Sequence, residues 1–223
     1  MIYVTGDTHQ NINIKKLTID FFPEQKFMTK NDYVIICGDF GCVWNGSNSD
    51  KYWQRWFDNK NFTTLFVDGN HENFNLIKQY PISEWNGGKV QFITPSIIHL
   101  MRGEIYNIDG YSFFAMGGAS SHDIEFRTEN VSWWKDELPN DQEYENAFKN
   151  LEKHNNKIDF IISHCCSDNV QNMINSNYVH DKLTNFFKII DETVEFKKWF
   201  FGHYHVDKDF GKYRCLFEDV IKI

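Results

Sequence analysis

The chain has 223 residues, 41% hydrophobic and 24% charged, the balance of a water-soluble globular protein long enough to bury a substantial core. Its formal net charge of −8, with only Arg55, Arg102, Arg127 and Arg214 as arginines, excludes a general nucleic-acid-binding surface, because Lys and Arg hold phosphate backbones. No apolar run is long enough to cross a bilayer, and five cysteines at irregular spacing are not a disulfide framework.

The opening "MIYVTGD" enters an apolar strand at once, without the basic flank and cleavable segment of a secretory signal. A cytoplasmic chain with reduced thiols is therefore expected. Asp7 and His9 follow this first run, and "DYVIICGD" repeats the pattern and ends on Asp39. The spacing in "SDKYWQRWFDNK" predicts a helix with Trp53, Trp56 and Phe57 on one face and Ser49 or Asp50 as N-cap. "TTLFVDGN" is a third short buried strand, ending on Asn70 and His71. "KVQFIT", "GEIYNID" and "YSFFAMGG" read as antiparallel strands joined by short turns. A second helix over "NDQEYENAFKNLEKHNN" aligns Tyr144, Phe148 and Leu151. "IDFIISHCC" ends on His164, and "DKLTNFFKIIDE" supplies a third helix. "KKWFFGHYH" ends on His203 and His205, which the alternation of an extended segment would send to one side. Strands alternating with helices, plus a run of hairpins, predict a layered α/β architecture. No repeat, low-complexity tract or linker divides it, so residues 1–223 are expected to form one domain.

Five apolar strands thus end on polar residues at matching places: two carboxylates, one amide and five imidazoles. In open α/β sheets ligands bind at the carboxyl ends of strands, so these residues are expected to converge. Ligands of Asp, Asn and His type without thiolate suit borderline divalent metals: manganese first, with iron, nickel, cobalt and zinc as alternatives. Seven candidate ligands exceed what one open catalytic ion needs and match two ions sharing a bridging carboxylate. Gly6, Gly38, Gly69 and Gly202, each just before a ligand, would let backbone and ligand crowd together.

The blocks "GDTH", "GDF", "GNHE", "SH" and "GHYH", in this order from residue 5 to 205, resemble the five signature blocks of the calcineurin-like metallophosphoesterase superfamily. The resemblance implies a four-layer double β-sandwich flanked by helices. It also implies that Asp7, His9, Asp39 and His205 hold a first metal, while Asp39 bridges to a second completed by Asn70, His164 and His203. His71 would touch neither ion and would face the leaving group of a phosphate-ester substrate. Two such ions would keep the pocket electropositive inside an acidic protein, and His71 would stabilise the transition state or protonate the departing oxygen. The arginines of the Ser/Thr protein phosphatase branch, in "GDxVDRG" and before "GNHE", are missing from "GDFGCVW" and "VDGNHE". A protein phosphatase is therefore the rival reading within enzymes, and an inactive metal-bound scaffold the rival outside them. The expected substrate is a phosphomonoester or phosphodiester, nucleotide-like or a nucleic-acid end. In the loop "MGGASSHDIEFRTENVSWW", Arg127 is the candidate phosphate clamp, with His122 beside it. Trp44, Trp133 and Trp134 are read as packing or as stacking surfaces. Cys165 and Cys166, next to His164, are read as structural. Oligomeric state stays open.

Overall fold

In the computed structural model, which describes residues 1–223, each apolar run quoted above contains a strand. In chain order the elements are β1 (Ile2–Thr5), β2 (Tyr33–Ile36), α1 (Asn48–Asp58), β3 (Thr63–Phe66), α2 (Phe74–Ile77) and β4 (Ile82–Trp85). Next come β5 (Gly88–Thr94), β6 (Ile97–Leu100), β7 (Glu104–Ile108), β8 (Tyr111–Met116), α3 (Asp141–Lys153) and β9 (Phe160–Ser163). The chain ends with α4 (Asp168–Ile174), α5 (Lys182–Thr193), β10 (Lys198–Phe201), β11 (Lys208–Phe210), β12 (Tyr213–Cys215) and β13 (Val220–Lys222).

The strands form two sheets, ordered β13-β1-β2-β3-β6-β5-β4 and β11-β12-β10-β9-β8-β7. Within them β1, β2, β3 and β6 run parallel, as do β12, β10, β9 and β8. Thr5, Ile36 and Phe66 stand level across the first sheet, so the residues that follow them emerge at one edge. Between the sheets lies a core that includes Val4, Ile35, Leu65, Phe113, Ile162 and Phe200. The outer face of the first sheet is covered by α1 and the segment after β1, through Leu17, Phe22 and Phe57. The outer face of the second is covered by α3, α4 and α5, through Tyr144, Val170 and Phe187. The result is a mixed α/β fold of two sheets between helical layers, as the resemblance implied. No helix is long and apolar enough to cross a membrane.

Three expectations need correction. The middle strands are not one meander: β5 belongs to the first sheet and β7 to the second, and the chain crosses between sheets after Leu100. β8 then pairs with β7 antiparallel but with β9 parallel, a long-range choice that no local turn residue encodes. Helix α1 is capped by Ser47, whose side chain accepts from the Ser49 N–H, so Ser49 and Asp50 lie in its first turn. On α3, Tyr144 and Leu151 are buried, but Phe148 is 42% exposed and leans on Phe186.

Candidate metal centre

The parallel strands bring the predicted residues together at one edge of the sandwich. Asp7 and Asp39, both buried, form its centre. His205 Nε2 lies 3.0 Å from Asp7 Oδ2, and His9 Nε2 lies 3.1 Å from Asp39 Oδ2. His164 Nε2 lies 3.3 Å from the same Asp39 oxygen and 3.2 Å from Asn70 Oδ1. Donor atoms fall into three overlapping groups, each within 4.8 Å: Asp7, His9 and His205; His9, Asp39 and His71; Asp7, Asp39 and His164. His203 is in none of these groups. Its backbone N–H donates to Asp7 Oδ1 at 3.0 Å, and its ring centroid is 4.9 Å from that of His164.

The local backbone explains how such short segments crowd so many ligands. His9, Asp39, His203 and His205 have φ of 44°, 48°, 69° and 51°, the left-handed region that non-glycine residues rarely occupy. Strand alternation therefore does not account for the two histidines after β10. That strand ends at Phe201, and both histidines sit in a turn whose geometry returns them to Asp7. The glycines are needed for close approach. A Cβ on Gly69 would collide with the Asp39 carboxylate, and one on Gly202 with that of Asp7.

Neighbouring groups orient the ligands. His164 donates from Nδ1 to the Cys37 carbonyl at 2.7 Å, and His9 from Nδ1 to Asn13 Oδ1 at 3.0 Å. Each bond turns Nε2 toward the cluster, where the carboxylates favour a proton on it that a bound cation would displace. Asn70 donates through Nδ2 to Ser121 Oγ at 3.1 Å, which turns its Oδ1 toward His164. Glu72, fully buried, accepts the N–H of Phe40 at 2.6 Å and fixes the turn that carries Asp39. Lys16, also buried, donates to the Asp7 carbonyl at 2.6 Å and to the Phe217 carbonyl. The sequence reading missed all of these except as letters. Glu72, Cys37 and Ser121 stood inside quoted stretches with no such role read for them, and Asn13 and Lys16 carry no spacing signal.

Arg127 reaches the cluster. Its Nη1 and Nη2 lie 3.4 Å from His71 Nδ1 and Nε2 respectively. A neutral imidazole has only one acceptor nitrogen, so the guanidinium lies across the ring rather than bonding both atoms. Asp123 holds Nε at 2.7 Å and the Ser132 carbonyl accepts from Nη1 at 3.2 Å. His122 is exposed, 6.0 Å from the His203 ring. Trp134 is buried, and Trp44 is half-buried against it. Cys165 and Cys166 are free and buried in the core beneath the α-helices, with burial raising both thiol pKa values.

The charges show what the centre can hold. Burial opposes ionisation of Asp7 and Asp39, yet the His164 charge and the imidazoles beside them keep both below the usual carboxylate range. Burial likewise opposes a proton on His164, but Asp39 and Asp7 outweigh it and raise its pKa to about 10. Burial and the His164 charge push His203 down to about 3, leaving a neutral imidazole. Two buried carboxylates thus draw positive charge into the cluster. Asp7 Oδ2, with His205 near but misaligned, has no hydrogen-bond partner. An unpartnered carboxylate oxygen among imidazole and amide donors fits a borderline divalent cation. The donor set therefore fits metal.

The calcineurin-like phosphoesterase family model matches residues 1–207, and the chain belongs to that family. It is a family of metal-dependent phosphoesterases that act on phosphate esters and typically bind two divalent ions. No curated protein matches the sequence.

Proposed function

We propose that the chain, working as one domain over residues 1–223, is a dinuclear phosphoesterase that hydrolyses phosphomonoesters or phosphodiesters of nucleotide-like molecules or nucleic-acid ends. Asp7, His9, Asp39 and His205 hold one ion; Asp39, Asn70, His164 and His203 hold the other. The observation that carries this reading is the overlap of the donor groups on Asp7 and Asp39, which lets one buried carboxylate serve two sites. Bound there, the ions would supply Lewis acidity and positive charge to a phosphoryl group. Manganese is the assigned metal, since hard oxygen donors share the set with imidazole. Five free, buried cysteines support a reducing, cytoplasmic setting.

The chain's own residues do the rest. His71 stays outside coordination and delivers a proton to the departing oxygen. Two features support this: its ring borders an open pocket, and a cation already lies on it. Burial lowers the His71 pKa, and Arg127 adds to this against the pull of Asp39. Arg127, held by Asp123, contributes its remaining N–H groups to a phosphate oxygen. Reconstitution with Mn²⁺, followed by assay on p-nitrophenyl phosphate, its bis-ester, mononucleotides and phosphopeptides, tests the reading. Turnover of the small esters with two ions per chain is expected. Metal binding without turnover of any ester would establish the scaffold reading, and turnover confined to phosphopeptides the protein phosphatase.

A further inference from the structure

A pocket of about 190 Å³ opens beside the metal cluster, with His9 and His71 as one wall and Trp44, Gln10, Ile12 and Gly41 among the others. We propose that it receives the departing alcohol of the ester and selects an uncharged alcohol bearing a single aromatic ring system. This rests on the phosphoesterase reading, which makes the His71 side of the cluster the leaving-group side. Three observations carry it.

The first is that Trp44 is a prepared surface. Its N–H donates to Asp50 Oδ2 at 2.8 Å, and its carbonyl accepts from Asn73 Nδ2 at 2.6 Å. The same Asp50 oxygen takes the N–H groups of Asn45 and Gly46, so one buried carboxylate pins the whole turn. The indole meets the buried Trp134 edge-on, with centroids 5.4 Å apart. Trp44 is thus half-exposed yet fixed, and a ring that meets it loses little entropy to ordering the wall. Gln10 is held in the same way, donating to Asp50 Oδ1 at 2.9 Å and accepting from Ser49 at 3.2 Å.

The second is the shortage of countercharge: no Lys or Arg lines the pocket, and Arg127, on the His71 ring, is already paired with Asp123. A second phosphate or a carboxylate on the alcohol would enter without compensation. Ile12, 74% exposed, adds an apolar side chain to the lining. The third is size. Pockets that engulf drug-sized ligands measure about 300–1,000 Å³, so this one has room for one ring system rather than a polymer. A nucleoside and a simple aryl alcohol share this chemistry.

The test compares esters whose alcohols have similar basicity and differ in the ring. On the Mn²⁺-loaded protein, kcat/KM is measured for a nucleoside 5′-monophosphate, benzyl phosphate and glycerol phosphate. Both ring-bearing esters are expected to exceed glycerol phosphate; the larger of the two identifies the source. Trp44→Ala should reduce the ratio of ring-bearing to glycerol ester by about 5- to 150-fold, the span of base–aromatic stacking. Trp44→Leu keeps apolar bulk against Trp134 but removes the π face, and should also reduce the ratio. Equal kcat/KM for all three esters, or ratios unmoved in both variants, would overturn the pocket assignment and leave the phosphoesterase reading standing. Should no ester turn over, equilibrium dialysis of adenosine and benzyl alcohol against the metal-loaded protein decides the pocket alone. Binding weakened by both Trp44 variants supports it, and no binding of either probe overturns it.

Discussion

Asp68 and Asp39 are both buried carboxylates at 1% and 2% exposure, one at the end of β3 and one at the end of β2, yet their charges are met in opposite ways. Asp68 is compensated by the protein. His99 Nε2 lies 3.1 Å away, Arg102 donates from Nε at 2.8 Å and from Nη2, and Gln91 holds the far side of His99 at 2.9 Å. Arg102 also donates to the Asp136 carbonyl at 2.8 Å, so the network ties β3 to the segment before α3. Burial pushes the Asp68 pKa up, but Arg102 and His99 outweigh it and hold it at about 2. Asp39 and Asp7 each take one backbone N–H, from His71 and His203, but the charges facing them are titratable imidazoles, the backbone beside them is strained, and one oxygen of Asp7 is unpartnered. A carboxylate that is fully paired within the fold contributes to stability. One that is left open, at the expense of strain, is available to a cation and a substrate.

The difference can be broken most severely at Asp39. Asp39→Ala should lower metal occupancy at both sites and abolish turnover, while unfolding remains cooperative. Elemental analysis showing two retained ions, with normal activity, would end the dinuclear assignment.

His71 sits at the substrate edge of the same cluster, where proton delivery rather than metal binding is expected. His71→Asn should cost about 10²–10⁴-fold on alkyl or nucleoside esters and little on bis-p-nitrophenyl phosphate, whose leaving group needs no proton. Because the His71 pKa is lowered, its proton-donating form is lost as pH rises through a value below 6.5. For poor leaving groups kcat/KM should therefore fall across that limb in the parent protein and not in the variant. Loss of metal from the variant would move His71 into the coordination shell, as its grouping with His9 and Asp39 also permits.

The opposite outcome is expected at Asp68. Asp68→Asn leaves Arg102 buried without its partner and should cost about 3–5 kcal/mol of unfolding free energy near neutral pH, with metal content retained. The sign of the pH dependence follows from the depressed pKa. The unfolded carboxyl titrates near ~3.9 and the folded one at about 2, so Asp68 contributes fully above pH ~4. That contribution, roughly 2–3 kcal/mol, is lost as pH falls toward 2. Denaturant titrations over this range should show that segment in the parent protein and a flatter one in the variant; parallel curves would contradict the pairing.

Smaller effects separate the groups that act through others. Arg127→Ala should weaken substrate binding or catalysis by about 1.5–3 kcal/mol, leave metal content unchanged, and move the His71 limb to higher pH. Unaltered kinetics over several substrates would return Arg127 to a purely local role with Asp123. Asn13→Ala removes the acceptor that orients His9 and should lower metal affinity about 10–100-fold, measured by competition with a chelator. An unchanged affinity would mean that backbone geometry alone holds His9.

Legible in the sequence were eight of the thirteen strands and the chemistry at the ends of five of them; the short β4, β6, β11, β12 and β13 were not. Short apolar runs rich in β-branched and aromatic residues and bounded by turn residues read as strands, and a polar residue after a buried parallel strand has few places to go but the sheet edge. Asp7, His9, Asp39, Asn70, His71, His164, His203 and His205 were legible for that reason, and the order of their blocks carried the family. The tertiary structure alone decided what pairs with what across long separations. It divided β5 and β7 between two sheets, brought Asn13 under His9 and Ser121 under Asn70, and buried Arg102 on Asp68 while leaving Arg127 on His71. These contacts join residues through loops whose course depends on packing rather than on local propensity. The same holds for Trp44, whose value as a pocket wall comes from Asp50, Asn73 and Trp134, none of which marks it in the sequence. Local periodicity encodes the elements and their burial; the convergence of loops, and so the shape of the site, exists only once both sheets have closed on their shared core.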